Sequence, residues 1–319
     1  MKNPTVLHHE ILVPDTAAGQ RLDKALAELF PDYSRSRLQE WIQSGQVLVN
    51  NKLARTKDKV IGGEKITIEA TLPEQTTEWV AQKIDLPIVY EDDDILIINK
   101  PVGMVVHPAA GNHHNTMANA LLDYLPQLSQ LPRAGLIHRL DKETSGLLIV
   151  AKTLLAQTYL VAELQARKIH REYIAVVNGV LISGGTINEP IARHTKYRQR
   201  RAVSAGGKPA VTHYRIIERF KAHTLLKIIL ETGRTHQIRV HMSHAGYPLV
   251  GDKTYGARPI IPQGASQELI DCIRGFKHQA LHAKRLSFIH PVTKKEVEFQ
   301  APVPEAITTL IEYLKINAE

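Results

Sequence analysis

The sequence predicts an α+β fold in which a small N-terminal unit of helices and short strands precedes a larger domain with a mostly antiparallel sheet. Three observations lead to this prediction. Up to about residue 70, helical apolar stripes are followed by short strand-like runs. Residues 71–82 are polar and show no clear period, which is typical of a linker. From Ile84 onward, short strand-like runs dominate, with helical patterns between some of them.

The composition is that of a globular protein with a basic surface. Hydrophobic residues make up 43% of the 319 residues, which allows a substantial core in two domains or one large one. The formal net charge of +8 favours a polyanionic partner. The single cysteine, Cys272, excludes an intramolecular disulfide and a cysteine-rich zinc module. No apolar run approaches the roughly 18 residues of a membrane span, and no signal-peptide pattern is present. We therefore expect a cytoplasmic protein with no membrane partner.

Two helices are predicted near the N-terminus. Apolar residues recur at i, i+3, i+4, i+7 and i+8 from Leu22 to Phe30, and Pro31 ends this helix. A second helix is expected to begin at Ser34, a good N-cap, and to end at Gly45.

Short strands are predicted after these helices, at residues 46–49 and 65–69, with turns at 50–52 and 62–63. Between Tyr33 and Lys59, six basic residues stand against two acidic ones, giving a net charge of +4. Such a face either binds a polyanion or is a solvated surface. The candidate contact residues are Arg35, Arg37, Lys52 and Arg55.

The larger domain contains four strand-like runs, at 95–98, 147–151, 173–177 and 225–230, and a helical pattern at 158–167. Asp141 lies in a polar loop just before the second of these strands, and its basic neighbours Arg139 and Lys142 favour an ionised carboxylate. The same residue types also form ordinary turns.

Two further candidate site residues lie in the strand-like run at 173–177 and in the segment that follows the run at 225–230. Alternation places Tyr173 on one face of its strand with residues 175 and 177, where a tyrosine is usually packed. Thr235 is the expected N-cap of a helix with an apolar stripe, which ends at Gly246. Arg239 lies off that stripe, so it is either solvated or the partner of a carboxylate, which an arginine fork can grip at two points.

Residues 191–219 carry eight basic residues against one acid, a net charge of +7 in 29 residues. This segment is a solvated loop or a phosphate-binding surface, and its charge density favours the second interpretation. Its candidate contacts are Arg198, Arg200 and Arg201.

The 16 histidines were considered as metal ligands. His236, His241 and His244 are close in sequence, but their spacing is not that of a zinc helix. Glycine-rich nucleotide-binding motifs are not found in the sequence either. We therefore expect no metal and no nucleotide or other cofactor.

Several segments together resemble the RluA family of RNA pseudouridine synthases with an N-terminal S4 domain. Residues 21–68 are similar to an S4 RNA-binding domain, and "HRLDKETSG", "REY", "RTHQIRVH" and "NKPVG" are similar to the motifs of the catalytic domain. The resemblance implies an S4-type domain at 1–75, a linker at 76–84 and a pseudouridine synthase domain at 85–319.

The resemblance also implies roles for particular residues. Asp141 matches the essential aspartate, and Arg239 its buried partner. Tyr173 matches the tyrosine that lies against the target base, and Arg139 the arginine that fills the space left by the flipped base. His107, near the "KPxG" motif, is expected to face the site.

The implied reaction is a cofactor-free isomerisation of specific uridines in 23S ribosomal RNA, free or in a pre-ribosomal particle, by a monomer. The bond from ribose C1′ to uracil N1 breaks, the ring turns, and C5 bonds to C1′. Asp141 starts this by attacking C1′ or by removing the 2′ proton, and both routes stay open. The rival functions are an RNA-binding protein without activity and a metal hydrolase that uses the histidines.

Overall fold

The computed structural model describes residues 6–30, 33, 35–71, 79–108, 112–197, 199–256 and 258–317. The chain forms two compact units, residues 1–76 and 77–319. Among the described residues, no helix combines the length and the apolar character that crossing a bilayer requires.

The first unit packs two helices on a four-stranded sheet, with strand order β1-β4-β2-β3 and every pair antiparallel. Its core joins the buried sides of both helices to the sheet residues Ile66 and Ile68. The elements are β1 (Val6–Leu12), α1 (Leu22–Leu29), α2 (Arg35–Gln43), β2 (Val47–Val49), β3 (Lys52–Leu53) and β4 (Lys65–Thr71).

Both predicted helices and both predicted strands of this unit are confirmed. Asn50 and Asn51 have φ of 49° and 60°, the conformation that a tight hairpin between β2 and β3 requires. Gly45 ends α2 with φ of 75°, whereas the predicted N-cap Ser34 lies outside the described residues. Strand β1 was missed because its inward face includes His9 and its outward face includes Leu12, so hydropathy does not alternate along it.

The buried carboxylate of Asp23 connects the two helices. It accepts two hydrogen bonds from Arg21, at 3.0 and 2.9 Å, and one each from Arg35 and Gln39 on α2, at 3.0 and 2.5 Å. Burial alone would raise the pKa of Asp23, but these donors outweigh it and the pKa is lowered. Arg35 therefore has a structural partner besides any phosphate it contacts.

The second unit is built on a nine-stranded sheet in the order β5-β6-β7-β14-β8-β13-β12-β9, with β15 beside β14. All pairings are antiparallel except that of β14 with β7, which confirms the predicted mostly antiparallel sheet. Strands β10 and β11 form a separate hairpin. The strands are β5 (Ile88–Glu91), β6 (Ile95–Lys100), β7 (Ser145–Ala151), β8 (His170–Asn178), β9 (Gly185–Asn188), β10 (Ile191–Arg193), β11 (Arg201–Val203), β12 (Val211–Arg219), β13 (His223–Leu230), β14 (Leu281–Ile289) and β15 (Glu296–Gln300).

Helices cover both faces of this sheet. They are α3 (Met117–Tyr124), α4 (Leu154–Gln165), α5 (Gln237–His244), α6 (Gln267–Gly275) and α7 (Glu305–Ile316). Strand β8 shows the layering most clearly. Tyr173 packs with α3 and α5 in one core, whereas Ile174 and Val176 pack with α6 and α7 in another. The alternation predicted for residues 173–177 is therefore confirmed.

The start of α5 differs from the prediction. The N-cap is His236, with a left-handed φ of 59°, and not Thr235. The cap position has no side-chain hydrogen bond. The His236 ring instead bonds to Tyr255, a contact distant in sequence that no local pattern announces.

Candidate active site

A cavity of about 800 Å³ opens in the second unit where the loop before β7, strand β8 and helix α5 meet. Its walls include five of the predicted site residues: His107, Arg139, Asp141, Tyr173 and Arg239. The structure thus brings together side chains that are up to 132 positions apart, as the distance from His107 to Arg239 in the sequence shows.

Asp141 lies in the turn that leads into β7. The Thr144 N–H donates to the Asp141 carbonyl at 3.1 Å, and the Thr144 hydroxyl accepts a hydrogen bond from Gln279 at 2.9 Å. Only 16% of the Asp141 side chain is exposed. Its Oδ2 lies 2.9 Å from Arg239 Nη1, and its Oδ1 lies 3.8 Å from His236 Nε2. The carboxylate is therefore fixed by its turn and by a buried cation.

Arg239 was expected to grip Asp141 at two points, and this expectation is wrong. The fork grips Asp252 instead, through Nε to Oδ2 at 2.7 Å and Nη2 to Oδ1 at 2.9 Å. Asp141 receives the single remaining contact from Nη1. Among the described residues, Oδ1 of Asp141 is thereby left without a hydrogen bond. A carboxylate needs such a free oxygen to react with a substrate.

Arg239 and the buried carboxylate of Asp252 hold each other ionised. Burial works to lower the pKa of Arg239, but the hydrogen bonds and charges of Asp252 and Asp141 outweigh it and the pKa is raised. Burial works to raise the pKa of Asp252, and the bonds from Arg239 outweigh it there too. Arg239 therefore stays charged beside Asp141 at any pH at which the protein is folded.

Asp252 was not among the predicted site residues. Its Oδ1 also accepts the N–H groups of Thr254 and Tyr255, at 2.9 and 3.1 Å, which fixes the turn that carries Tyr255. The Arg239 guanidinium lies 5.0 Å above the Tyr255 ring. In the sequence, Asp252 is an aspartate followed by turn-forming residues. This pattern is common and does not indicate a contact with Arg239.

Tyr255 and His236 extend this network to Asp141. The Tyr255 hydroxyl accepts the N–H of Arg201 at 2.7 Å and lies 2.7 Å from His236 Nδ1. His236 is thus held through Nδ1, and its Nε2 faces Asp141. Burial lowers the pKa of His236, and Asp141 opposes that effect.

Two of the three histidines considered as metal ligands, His236 and His241, already have other partners. His241 lies 2.9 Å from the Thr212 hydroxyl and 2.9 Å from the Glu189 carbonyl, one through each ring nitrogen. Among the described residues, the group that could hold a metal ion is Asp92, Asp94 and His290, and none of these lines the cavity.

Tyr173 is buried in the cavity wall, with 5% of its surface exposed. Burial raises the pKa of its hydroxyl, the charge of Arg171 opposes that effect, and Asp141 adds to it. The hydroxyl therefore keeps its proton at neutral pH and can donate it.

Lys100 fixes the turn that carries Asp141, a role that the sequence did not indicate. Its buried Nζ donates to the carbonyls of Pro101, Met104 and Lys142, at 2.8, 2.9 and 2.9 Å. Gly103, with φ of 85°, donates its N–H to the same Lys142 carbonyl. The "KPxG" segment is thus bonded directly to the residue after Asp141.

Arg139 and His107 lie at the cavity as expected. Arg139 is exposed. The His107 ring packs edge-on against Trp79, with centroids 5.8 Å apart. Burial, aided by Arg133 and Arg139, lowers the pKa of His107 to about 4, so the ring is neutral at physiological pH.

The candidate RNA contacts outside the cavity occupy two places. Lys52 and Arg55 are exposed on the first unit. In the second unit, exposed Arg200 lies over the Tyr197 ring at 5.1 Å, in the β10-β11 hairpin. Arg201 in β11 is half-buried and bonds to Tyr255 through its backbone. The side chain of Arg37 and all of Arg198 lie outside the described residues.

Comparison with known proteins identifies two sequence families. Residues 94–244 match the model of the RNA pseudouridylate synthase family, and residues 20–66 match the S4 domain. Proteins from Yersinia pestis and Salmonella typhimurium are 56% identical to this chain, and one from Escherichia coli K12 is 54% identical. Each match covers 96% of this chain and 94% of the relative, and each relative is named ribosomal large subunit pseudouridine synthase D.

Two solved structures share the fold of the second unit. Human RNA pseudouridylate synthase domain containing 4 has a TM-score of 0.57 at 24% identity, covering 72% of this chain and 92% of that chain. Human RNA pseudouridylate synthase domain containing 1 has a TM-score of 0.53 at 24% identity, covering 72% and 95%.

Proposed function

This chain belongs to the RNA pseudouridylate synthase family, and on that premise we infer that it isomerises specific uridines of large-subunit 23S ribosomal RNA to pseudouridine. The relatives named ribosomal large subunit pseudouridine synthase D match almost the whole length of this chain. The observation that carries the proposal is the Asp141 carboxylate, held 2.9 Å from Arg239 in the wall of a cavity that also contains Tyr173.

The arrangement suits a reaction started by a carboxylate. Either route, attack on C1′ or removal of the 2′ proton, needs an ionised Asp141 with a free oxygen. Arg239 contacts Oδ2 alone, at 2.9 Å, and the nearest polar partner of Oδ1 among the described residues is His236 Nε2 at 3.8 Å, so one oxygen is left for the substrate. We assign Asp141 as the group that starts the reaction, and Arg239 as the residue that positions it.

The target uridine must leave its helix to reach Asp141, because its C1′ and base edge are shielded when the base is stacked. The Tyr173 ring offers a surface for the flipped base, and its hydroxyl offers a proton. Exposed Arg139 at the rim is suited to fill the gap in the RNA. His107, neutral and packed on Trp79, forms part of the wall.

The first unit is proposed to hold the RNA through its basic face, with Lys52 and Arg55 as exposed contacts. The boundaries proposed from the sequence are 1–75 for this domain, 76–84 for a linker and 85–319 for the catalytic domain. Trp79 packs against the core of the second unit, and the Val80 carbonyl accepts a bond from Asn119. The catalytic domain is therefore proposed to include Trp79 and Val80, which the sequence-based boundary assigned to the linker.

Three finer statements belong to the same proposal. The enzyme acts in the cytoplasm, where ribosomal RNA is made and assembled. It is proposed to act as a monomer. Its substrate is 23S RNA, either free or in a pre-ribosomal particle.

Mapping of pseudouridine in ribosomal RNA tests the proposal. Cells that lack this protein should lose pseudouridine at specific 23S positions, and the wild-type gene should restore it. Asp141→Asn should restore none, because an amide neither attacks C1′ nor accepts the 2′ proton. An unchanged 23S map in the deletion strain contradicts the proposed substrate. Restoration by the variant contradicts the role of Asp141.

A further inference from the structure

Arg171 is a buried cation in the cavity wall, and no described residue supplies a counter-charge to it. It lies on β8 and has 6% of its surface exposed. Its Nε is shut off from solvent and has no hydrogen-bond partner among the described residues. Within the same residues, no carboxylate forms an ion pair with it. Arg239, by contrast, contacts two carboxylates in the same cavity.

Such a group is costly to the folded protein. Burial lowers the pKa of Arg171, yet an arginine stays protonated in proteins, so an uncompensated positive charge is held out of water. The backbone makes room for it, since a Cβ at Gly233 would lie 2.7 Å from Arg171 Nη1. A glycine at this position and an unpaired guanidinium together indicate a site kept for a ligand that supplies the missing acceptor.

The position of Arg171 suits contact with a flipped base. Arg171 and Tyr173 are two residues apart on one strand, and both line the cavity that also contains Asp141. A uracil that lies on Tyr173 with its ribose at Asp141 is therefore in the same cavity as the Arg171 guanidinium.

We propose that the Arg171 guanidinium binds the carbonyl edge of the flipped uracil and stabilises the uracil anion that forms when the N1–C1′ bond breaks. This inference rests on the proposed function, because it assumes that uridine is the substrate. It makes Arg171 a catalytic residue in addition to Asp141, Tyr173 and Arg239.

The chemistry of the step explains the need for a cation. When the N1–C1′ bond breaks, its electron pair stays with the ring, and the charge spreads over N1, O2 and O4. The C5=C6 electrons then form the C5–C1′ bond, while the Asp141–C1′ bond breaks on the first route, or C2′ takes its proton back from Asp141 on the second. C5 loses its proton, and N1 gains one. Between these events the base is a free anion in a site without bulk water, where a fixed guanidinium has its largest effect.

The symmetry of uracil lets one fixed donor serve substrate and product. A half-turn about the N3–C6 axis exchanges N1 with C5 and O2 with O4. The carbonyl farthest from C1′ is O4 before the turn and O2 after it. Arg171 therefore meets a carbonyl oxygen at the same place at both stages, and the ring can turn without losing its partner.

A phosphate contact is the alternative ligand for this arginine. Phosphates remain on the outside of a nucleic acid whose base is flipped, whereas Arg171 is buried beside Tyr173. A phosphate contact would also show in the salt dependence of RNA binding, which falls by about one unit of slope for each contact removed. The test separates the two ligands on this basis.

The experiment compares Arg171→Met and Arg171→Lys with the wild type on a ribosomal RNA fragment. Arg285→Met is the matched control, because Arg285 lies on the adjacent strand β14, is partly exposed and pairs with Glu298. Three quantities are measured: the single-turnover rate constant, the RNA affinity across a salt series, and the melting temperature. Asp141→Asn serves as the inactive reference.

We expect Arg171→Met to lower the single-turnover rate constant by about 100-fold or more, with affinity and salt slope unchanged. Arg171→Lys should keep part of the activity, since the charge remains and the fork is lost. The melting temperature of Arg171→Met should be equal to or above that of the wild type, because an unpaired buried charge has gone. A residue with a merely structural role would lower it.

A second substrate tests the anion directly. Fluorine at C5 of the target uridine stabilises negative charge on the ring, so N1–C1′ cleavage should depend less on Arg171. The rate loss of Arg171→Met in this bond cleavage should then be smaller with 5-fluorouridine than with uridine. An equal loss on both substrates contradicts anion stabilisation.

The remaining outcomes overturn the inference in distinct ways. A wild-type rate for Arg171→Met excludes a catalytic role. A weaker affinity with a shallower salt slope assigns Arg171 to phosphate. An inactive wild type on every ribosomal RNA fragment contradicts the proposed function itself, so the two failures are distinguishable.

Discussion

At the scale of single residues, Arg239 has two tasks, binding to Asp252 and positioning of Asp141, which the sequence motif does not distinguish. Its fork is committed to Asp252, and one N–H remains for Asp141. Asp252 therefore aims Arg239, and Arg239 aims Asp141. A chain of this kind holds a reactive group more firmly than a single contact does, because each member is fixed by the next.

Substitution of Arg239 or of Asp252 should separate the tasks. Arg239→Lys should lose most of the activity and part of the stability, because a lysine keeps the charge but not the two-point grip on Asp252. Asp252→Asn should keep the Asp141 contact and lose less activity. Single-turnover rates and urea unfolding measure both effects. Glu298→Gln, which removes the exposed pair with Arg285, is the control and should leave the urea unfolding midpoint nearly unchanged, because solvent screens this pair. A wild-type rate and stability for Asp252→Asn would show that it does not aim Arg239.

The sequence identified some of these residues and not others for a physical reason. Asp141, Tyr173 and Arg239 stand in strings that resemble family motifs, so they were found. Asp252 and Lys100 act through partners that no local pattern specifies. Lys100 bonds to three backbone carbonyls, one of them 42 positions away, and backbone carbonyls leave no trace in a sequence. Arg171 was missed because its distinguishing feature is a buried guanidinium without an ion-pair partner among the described residues, and burial and pairing are not visible in a sequence.

At the scale of elements, the three hydrogen bonds of Lys100 join the end of β6 to the turn before β7. A protonated amine has three N–H groups for its three carbonyl acceptors, whereas the neutral amine has two. Burial lowers the pKa of Lys100 to about 7, against the opposing charges of Glu143 and Asp141. The set of three bonds is therefore complete at and below neutral pH and loses one bond above it.

The lowered pKa predicts how stability depends on pH. In the unfolded chain, Lys100 has a pKa of about 10.4. Between about pH 7 and about pH 10 the unfolded state therefore binds more protons than the folded state, and the free energy of unfolding rises with pH. Lys100→Met removes this contribution. The wild type should gain stability relative to the variant as pH rises through that window, measured by urea unfolding. A constant difference across it would show that the pKa of Lys100 is not lowered.

Prediction at this scale succeeded where periodicity is strong. The inward face of β8 and the stripe of α5 follow from alternation and from i, i+4 spacing, and both are observed. Prediction failed for β1, whose inward His9 packs against Phe30 and Tyr33. It also failed at the α5 cap, where the His236–Tyr255 bond overrides local preference for Thr235.

At the scale of the whole molecule, the two compact units invite a deletion. Removal of residues 1–76, rather than a cut beyond Trp79, keeps the Trp79 packing and the Val80–Asn119 bond in the catalytic unit. This unit should remain folded and turn over at saturating RNA, since Asp141, Tyr173 and Arg239 are retained.

The deletion should weaken RNA binding and flatten its salt dependence. The stretch from Tyr33 to Lys59 carries a net charge of +4, and Arg35 is partly committed to Asp23, so the loss should be fewer than four phosphate contacts. Affinities of the two proteins across a salt series measure it. Superimposable curves would show that the first unit does not bind RNA.

The place of β14 in the sheet has a consequence for the protein during its synthesis. Strand β14 lies between β7, which follows Asp141, and β8, which carries Tyr173 and Arg171. Its residues, 281–289, leave the ribosome long after those of its neighbours. A nascent chain can thus complete its first unit early, while the sheet that aligns the catalytic side chains still lacks its central strand. We therefore expect activity only after β14 has been made, whereas the S4 domain can fold before it.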